Sequence, residues 1–239
     1  MKIINTGNRV MNTYVYKAPA GYVMIDTGYE HSMKNVERKL RTDGLSFSDI
    51  RYVFLTHAHD DHAGFLNELM NKYPDIKVII NSESVPVLRK GQNGFDGGCS
   101  SRTAYFFCRM MSLWGKGKHL FPKVEEHNIE RMILIEDINK KQIEDQLGGR
   151  IIFTPGHTND SISLKIGKYV FCGDAAMNGF PSSHKITIWV GNKSDFESSW
   201  EKLIREDIRI VIPAHGKPFP VEELIKNIGY ISQIRLRAL

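Results

Sequence analysis

The sequence predicts a layered α/β protein. Short β-branched and aromatic runs alternate with stretches of helical periodicity, Gly and Pro punctuate the connections, and His or Asp recurs just past the predicted strand ends. At 239 residues, with 41% hydrophobic and 25% charged residues, the chain can bury a core of its own. We read residues 1–239 as one domain, interrupted at about 91–130 by an insertion or lid-like helical segment.

Taken in order, Tyr14–Tyr16 and Tyr22–Ile25 read as strands around a Pro19-Ala20-Gly21 turn. Asp26-Thr27-Gly28 ends that hairpin; on spacing alone Asp26 reads as a turn residue. Residues 30–43 have the apolar spacing of a helix (Met33, Val36, Leu40), with Gly44 as its stop. Tyr52-Val53-Phe54-Leu55 reads as a buried strand, and 63–73 as a helix. Lys77–Asn81 predicts a strand, then a short helix from Ser82 to Lys90 despite Pro86.

Residues 91–101 carry four glycines and read as a mobile connection. Tyr105 to Trp114 is apolar on nearly every side, which fits either a core helix or a lid or interface element. Arg131–Glu136 and Arg150–Phe153 predict strands joined by a polar hairpin connection through Gly148-Gly149. Ser161–Ile166 and Tyr169–Cys172 pair through Gly167-Lys168. Ser194 to Glu197 reads as a capping box opening a helix to about Arg205. Ile208–Ile212 is a strand, and residues 220–238 a closing helix.

Between strand and helix lies Thr56-His57-Ala58-His59-Asp60-Asp61-His62. Residues two apart in an extended loop point the same way, so His57 and His59 can reach one ion. Asp61 and His62 come after the turn and face a neighbouring point, which predicts two metal sites side by side. Asp60 and Asp61 would lie near the positive end of the following helix. Three further strand ends present His157, Asp174 and His215. Five imidazoles and two carboxylates without a thiolate suit zinc, and also iron or manganese. Cys172 reads as a core residue. His31, His119 and His127 read as surface residues, and His184 lies on a loop that could overhang the site.

The motif order His57-Ala58-His59-Asp60-Asp61-His62, His157, Asp174, His215 resembles the metallo-β-lactamase-fold superfamily, in particular the glyoxalase II and lactonase-like metal motif. The likeness extends to Asp26-Thr27-Gly28, to Thr-Pro-Gly-His-Thr around His157 and to Pro-Ala-His-Gly around His215. It implies an αββα sandwich of two mixed β-sheets flanked by helices. It implies that His57, His59 and His157 bind a first metal, that Asp61, His62 and His215 bind a second, and that Asp174 bridges them. Asp26 would support the ligands. The implied cofactor is two divalent ions, zinc foremost, with Asp61 and Asp174 as catalytic residues and a metal-bridging hydroxide as nucleophile.

By elimination, the expected reaction is hydrolysis of an ester, thioester or lactone carbonyl. Glyoxalase II carries an extra C-terminal helical region, flavodiiron proteins replace a motif histidine by glutamate and add a flavodoxin domain, and the RNA-processing branch carries further domains. The alternatives are a phosphodiesterase or nuclease of the same fold, or a mononuclear iron dioxygenase. The expected partner is a small-molecule substrate, anionic or carbonyl-containing, with no membrane and no nucleic acid, and a homodimer as an option. With no signal peptide legible, no long apolar run and no disulfide-type cysteine spacing, the expected location is cytoplasmic.

Overall fold

The computed structural model describes residues 2–239. In chain order it forms β1 (Ile3–Asn5), β2 (Tyr14–Ala18), β3 (Gly21–Ile25), α1 (Met33–Thr42), β4 (Ile50–Phe54), α2 (Leu66–Lys72), β5 (Lys77–Ile80), α3 (Ser84–Lys90), β6 (Gly98–Cys99) and α4 (Arg102–Met111). There follow α5 (Glu126–Ile129), β7 (Ile133–Leu134), α6 (Asp137–Leu147), β8 (Arg150–Phe153), β9 (Ile162–Ile166), β10 (Tyr169–Gly173), β11 (Trp189–Val190), α7 (Lys193–Arg205), β12 (Ile210–Pro213), β13 (Phe219–Pro220) and α8 (Glu222–Asn227). These divide into two compact units, residues 1–93 with 119–150, and residues 94–118 with 151–239.

The first unit is built on a six-stranded mixed sheet in the order β1-β2-β3-β4-β5-β7. The β2–β3 hairpin is antiparallel; β3, β4, β5 and β7 run parallel. Met33, Val36 and Leu40 of α1 and Leu66, Leu69 and Met70 of α2 pack with Val15, Met24, Val53, Val78 and Ile80. Two helices thus bury the apolar stripes that their periodicity predicts.

The second unit is built on a five-stranded mixed sheet in the order β13-β12-β10-β9-β8, beside a small β11-β6 pair. The expected hairpin through Gly167-Lys168 pairs Tyr169 with Ile166. Phe196, Trp200 and Leu203 of α7 and Leu224 of α8 pack with Ile152, Val170, Cys172 and Val211.

Several local expectations are corrected. Helix α2 starts at Leu66, so Asp60 and Asp61 do not stand at a helix N-terminus. The carbonyl of His62 accepts from Thr27 N and the amide of Gly64 donates to Gly28 O, so this backbone is bonded to the neighbouring strand end rather than wound into a helix. Pro86 sits in the first turn of α3, where an N–H has no intrahelical acceptor and its loss costs little. The 91–101 connection contains β6, which pairs with β11.

The polar stretch before Gly148 is helix α6, not a hairpin connection. Only Ile143 and Leu147 of its eleven residues are buried, too thin a stripe to read by periodicity. Asn139 Oδ1 accepts from Glu136 N at its start, and Gly148 in the left-handed region ends it. The cap of α7 is Asn192, whose Oδ1 accepts from Asp195 N, two residues before the Ser194 expected. The closing helix stops at Asn227, passes into a tight turn over Ile228–Tyr230 and does not resume. Asn227 Nδ2 donates to Glu223 O there, and Gly229 follows.

The core-helix reading of Tyr105–Trp114 also fails. In α4 only Ala104 is buried, while Phe106, Leu113 and Trp114 are largely exposed. Among the described residues no helix is long and apolar enough to cross a membrane.

Candidate metal centre

In the first unit, β4 delivers Thr56 and the histidine motif into a tight turn closed by His62 N and Ala63 N, both donating to His59 O. The turn folds His57, His59, Asp61 and His62 together. The His57 ring lies 3.9 Å from that of His62 and 4.6 Å from that of His59, centroid to centroid. His62 Nε2 lies 3.8 Å from Asp61 Oδ1. His57 and His62 are fully buried, and Asp61 is partly exposed. Burying three imidazoles this close together, beside a carboxylate, suits a cation-binding site.

Asp26 orients this group. Its Oδ1 accepts from Thr56 N at 2.7 Å, and its Oδ2 accepts from Thr56 Oγ1 at 2.9 Å and meets His62 Nδ1 at 2.8 Å. The hydrogen bond at Nδ1 aims Nε2 of His62 away from Asp26, on the side of Asp61. Asp26 is therefore a buried orienting carboxylate, as the family resemblance implies, and not the plain turn residue that its spacing alone suggests. Thr56 adds contacts of 3.1 Å to His57 Nδ1 and 3.2 Å to His62 Nδ1, a role that sequence reading missed. Its position directly before the motif was the only available signal. Asp60 is turned elsewhere: its Oδ1 accepts from Asn93 Nδ2 and meets His119 Nδ1 at 3.2 Å.

In the second unit, His157 follows β8, Asp174 follows β10 and His215 follows β12. The two oxygens of Asp174 divide between two imidazoles. Oδ2 lies 3.7 Å from His157 Nε2, and Oδ1 lies 3.6 Å from His215 Nε2. All three residues are buried. His157 Nδ1 lies 2.8 Å from the carbonyl oxygen of Trp189. A carbonyl only accepts, so Nδ1 carries the proton and Nε2 of the neutral ring keeps its lone pair, the form that binds metal.

Of the remaining histidines, His31 and His127 are exposed. His184 lines a cleft of about 430 Å³ with Asn178, Lys185 and Glu223, bonds Asn227 Oδ1 and stacks on Tyr230. Asn178 N donates to His215 O, tying that cleft to the histidine loop.

Two mixed sheets with flanking helices, and imidazole and carboxylate donors gathered at strand ends, define an α/β protein of the metal-binding class. A model of the metallo-beta-lactamase superfamily matches residues 6–215, and the chain belongs to that superfamily. It is 28% identical over 242 residues to the metallo-beta-lactamase fold-containing protein ST1585 of Sulfurisphaera tokodaii, covering 95% of this chain and 82% of that one. It is 25% identical over 232 residues to the probable metallo-hydrolase YqjP of Bacillus subtilis, covering 90% and 70%. Among solved structures, a metallo-beta-lactamase with an HARLDQ motif from Cronobacter sakazakii superposes with a TM-score of 0.67 at 20% identity, covering 97% of this chain and 88% of that one. The fold class expected from sequence, α/β of the metallo-β-lactamase type, is the fold observed.

Proposed function

We propose that this protein is a metal-dependent hydrolase acting on an ester, thioester or lactone carbonyl. In this reading the chain binds two divalent ions, zinc foremost, through the ligand set that the family resemblance implies. His57, His59 and His157 would hold one ion and Asp61, His62 and His215 the other, with Asp174 as the carboxylate they would share. One observation carries the reading: each oxygen of Asp174 faces a different imidazole, which suits a carboxylate shared between two cations. The donor set, nitrogen and carboxylate without thiolate, fits zinc, iron or manganese.

Divalent ions bound there would supply an activated water near neutral pH and polarise the substrate carbonyl. The chain's own residues do the rest. Asp61 orients the attacking water and accepts its hydrogen bond. Asp26 and Thr56 hold the rings of His57 and His62 in place. The Trp189 carbonyl accepts from Nδ1 of His157 and leaves Nε2 as the nitrogen that would face a metal. The similarity to a probable metallo-hydrolase supports hydrolysis as the reaction class.

Metal content and turnover of His59→Ala and Asp174→Ala test the proposal together. Both variants are expected to lose bound metal and hydrolysis, and hydrolysis retained in a metal-free variant overturns the mechanism. A panel of a thioester, a lactone and bis-p-nitrophenyl phosphate tests the substrate class. Preference for the phosphodiester would replace the carbonyl reading with phosphodiester hydrolysis.

A further inference from the structure

The metal chemistry makes no use of the exposed face of α4. Phe106, Met110 and Leu113, with Trp114 in the wider turn that follows, are spaced i, i+4, i+7 and i+8. They are 68%, 40%, 82% and 69% exposed. Phe180, 86% exposed, meets Phe107 edge-on at 6.2 Å and widens the apolar surface. Monomeric proteins rarely leave so many large apolar side chains together in water.

The opposite side of the helix is anchored. Ala104 is buried, Ser101 Oγ accepts from Ala104 N, and Cys99 just before the helix pairs with Trp189. The exposed stripe is thus held on a fixed element. From Gly97 to Lys118 the sequence has four cations, Arg102, Arg109, Lys116 and Lys118, and no carboxylate. Arg102, Arg109 and Lys118 are exposed.

We propose that this face docks on an anionic lipid bilayer. Aromatic and aliphatic side chains on one stripe, edged by Lys and Arg, match a surface lying in the headgroup region. Charge decides against the two competing occupants. A second copy docked symmetrically would bring the exposed Arg102, Arg109 and Lys118 of one copy against those of the other. Nucleic acid satisfies the charge but leaves Met110 and Leu113, which have no ring to stack on a base, exposed to water. Surface docking needs no spanning segment, so the lack of a membrane-crossing helix among the described residues does not bear on it.

The test is sedimentation of the purified full chain with vesicles of phosphatidylcholine alone and of phosphatidylcholine with phosphatidylglycerol. Binding is expected to the second and to be weakened by salt. At about fivefold per surface cation, Arg102→Gln with Arg109→Gln is expected to weaken it about 25-fold. Phe106→Ser with Leu113→Ser is expected to weaken it at least tenfold while circular dichroism and melting stay unchanged. No binding to anionic vesicles at low salt overturns the proposal, as does binding that the serine pair leaves intact. Self-association abolished by the serine pair, or tighter binding to a single-stranded oligonucleotide than to vesicles, also overturns it.

Discussion

Asp26 Oδ2 and His62 Nδ1 lie 2.8 Å apart in a fully buried contact, and the two residues are 36 apart in sequence. Asp26 holds φ of +58°, which few residues other than Gly, Asn and Asp adopt without strain. Asn shares that tolerance but lacks the negative charge, so Asp26→Asn isolates the electrostatic part of the contact. Metal affinity, measured by competition with a chromogenic chelator, is expected to fall about 10- to 100-fold. An Asp26→Asn protein with a lowered melting temperature and unchanged metal affinity would return Asp26 to a turn role.

Trp200 ties the core of the second unit to the Asp174 loop. Its Nε1 donates to Ala175 O at 2.6 Å, and its ring packs beside Phe196 at 5.7 Å. Trp200→Phe keeps most of the packing and leaves a buried carbonyl without its donor, at a cost of about 1–3 kcal/mol. Trp200→Ala adds a cavity, for a total of about 3–5 kcal/mol. Urea unfolding of both variants checks the order, and equal midpoints would mean that the hydrogen bond, not the packing, matters here.

The main strands and α1, and the seven proposed ligands as residues past strand ends, were legible because they rest on local signals. These were β-branched runs, one strong helical stripe, and histidines at short spacing. What was not legible rests on distant partners. The family resemblance implies a supporting role for Asp26, but nothing near it singles out His62 as its partner, and nothing near Asp60 announces Asn93 or His119. Helix α6 was hidden because so little of it is buried. Helix α2 starts later than its periodicity suggests because Thr27 and Gly28 bond the backbone that would otherwise begin the helix. The face of α4 misled in the opposite direction. Apolar composition suggests burial, but the structure exposes it, and composition alone cannot separate a core from a docking surface.

Gly156 sets the turn that carries His157. Its φ is +129°, and a Cβ there would meet the backbone of Phe196 at 2.3 Å. Its carbonyl also accepts from Gly191 N and Asn192 N, next to the strand whose Trp189 bonds His157. Gly156→Ala therefore combines backbone strain with overpacking, together about 2–5 kcal/mol. It is expected to lower the unfolding midpoint and weaken metal binding together. Loss of stability with full metal affinity would show that the turn can relax without moving His157.

Metal is expected to stabilise the protein through the ligands proposed above. A ligand present at a thousand times its dissociation constant adds about 4 kcal/mol to the folded state. For a chain of this size that is a rise of about 8–16 °C in melting temperature. The comparison is between protein stripped with a chelator and the same protein with zinc restored, followed by scanning calorimetry. His59→Ala and Asp174→Ala are expected to flatten the response, because each removes a donor from the proposed set. His127→Ala, which alters an exposed ring bonded to Asn71, is expected to respond like the wild type. A zinc response of equal size in His59→Ala, Asp174→Ala and wild-type protein would place the stabilising ion elsewhere, and the proposed centre would lose its thermodynamic support.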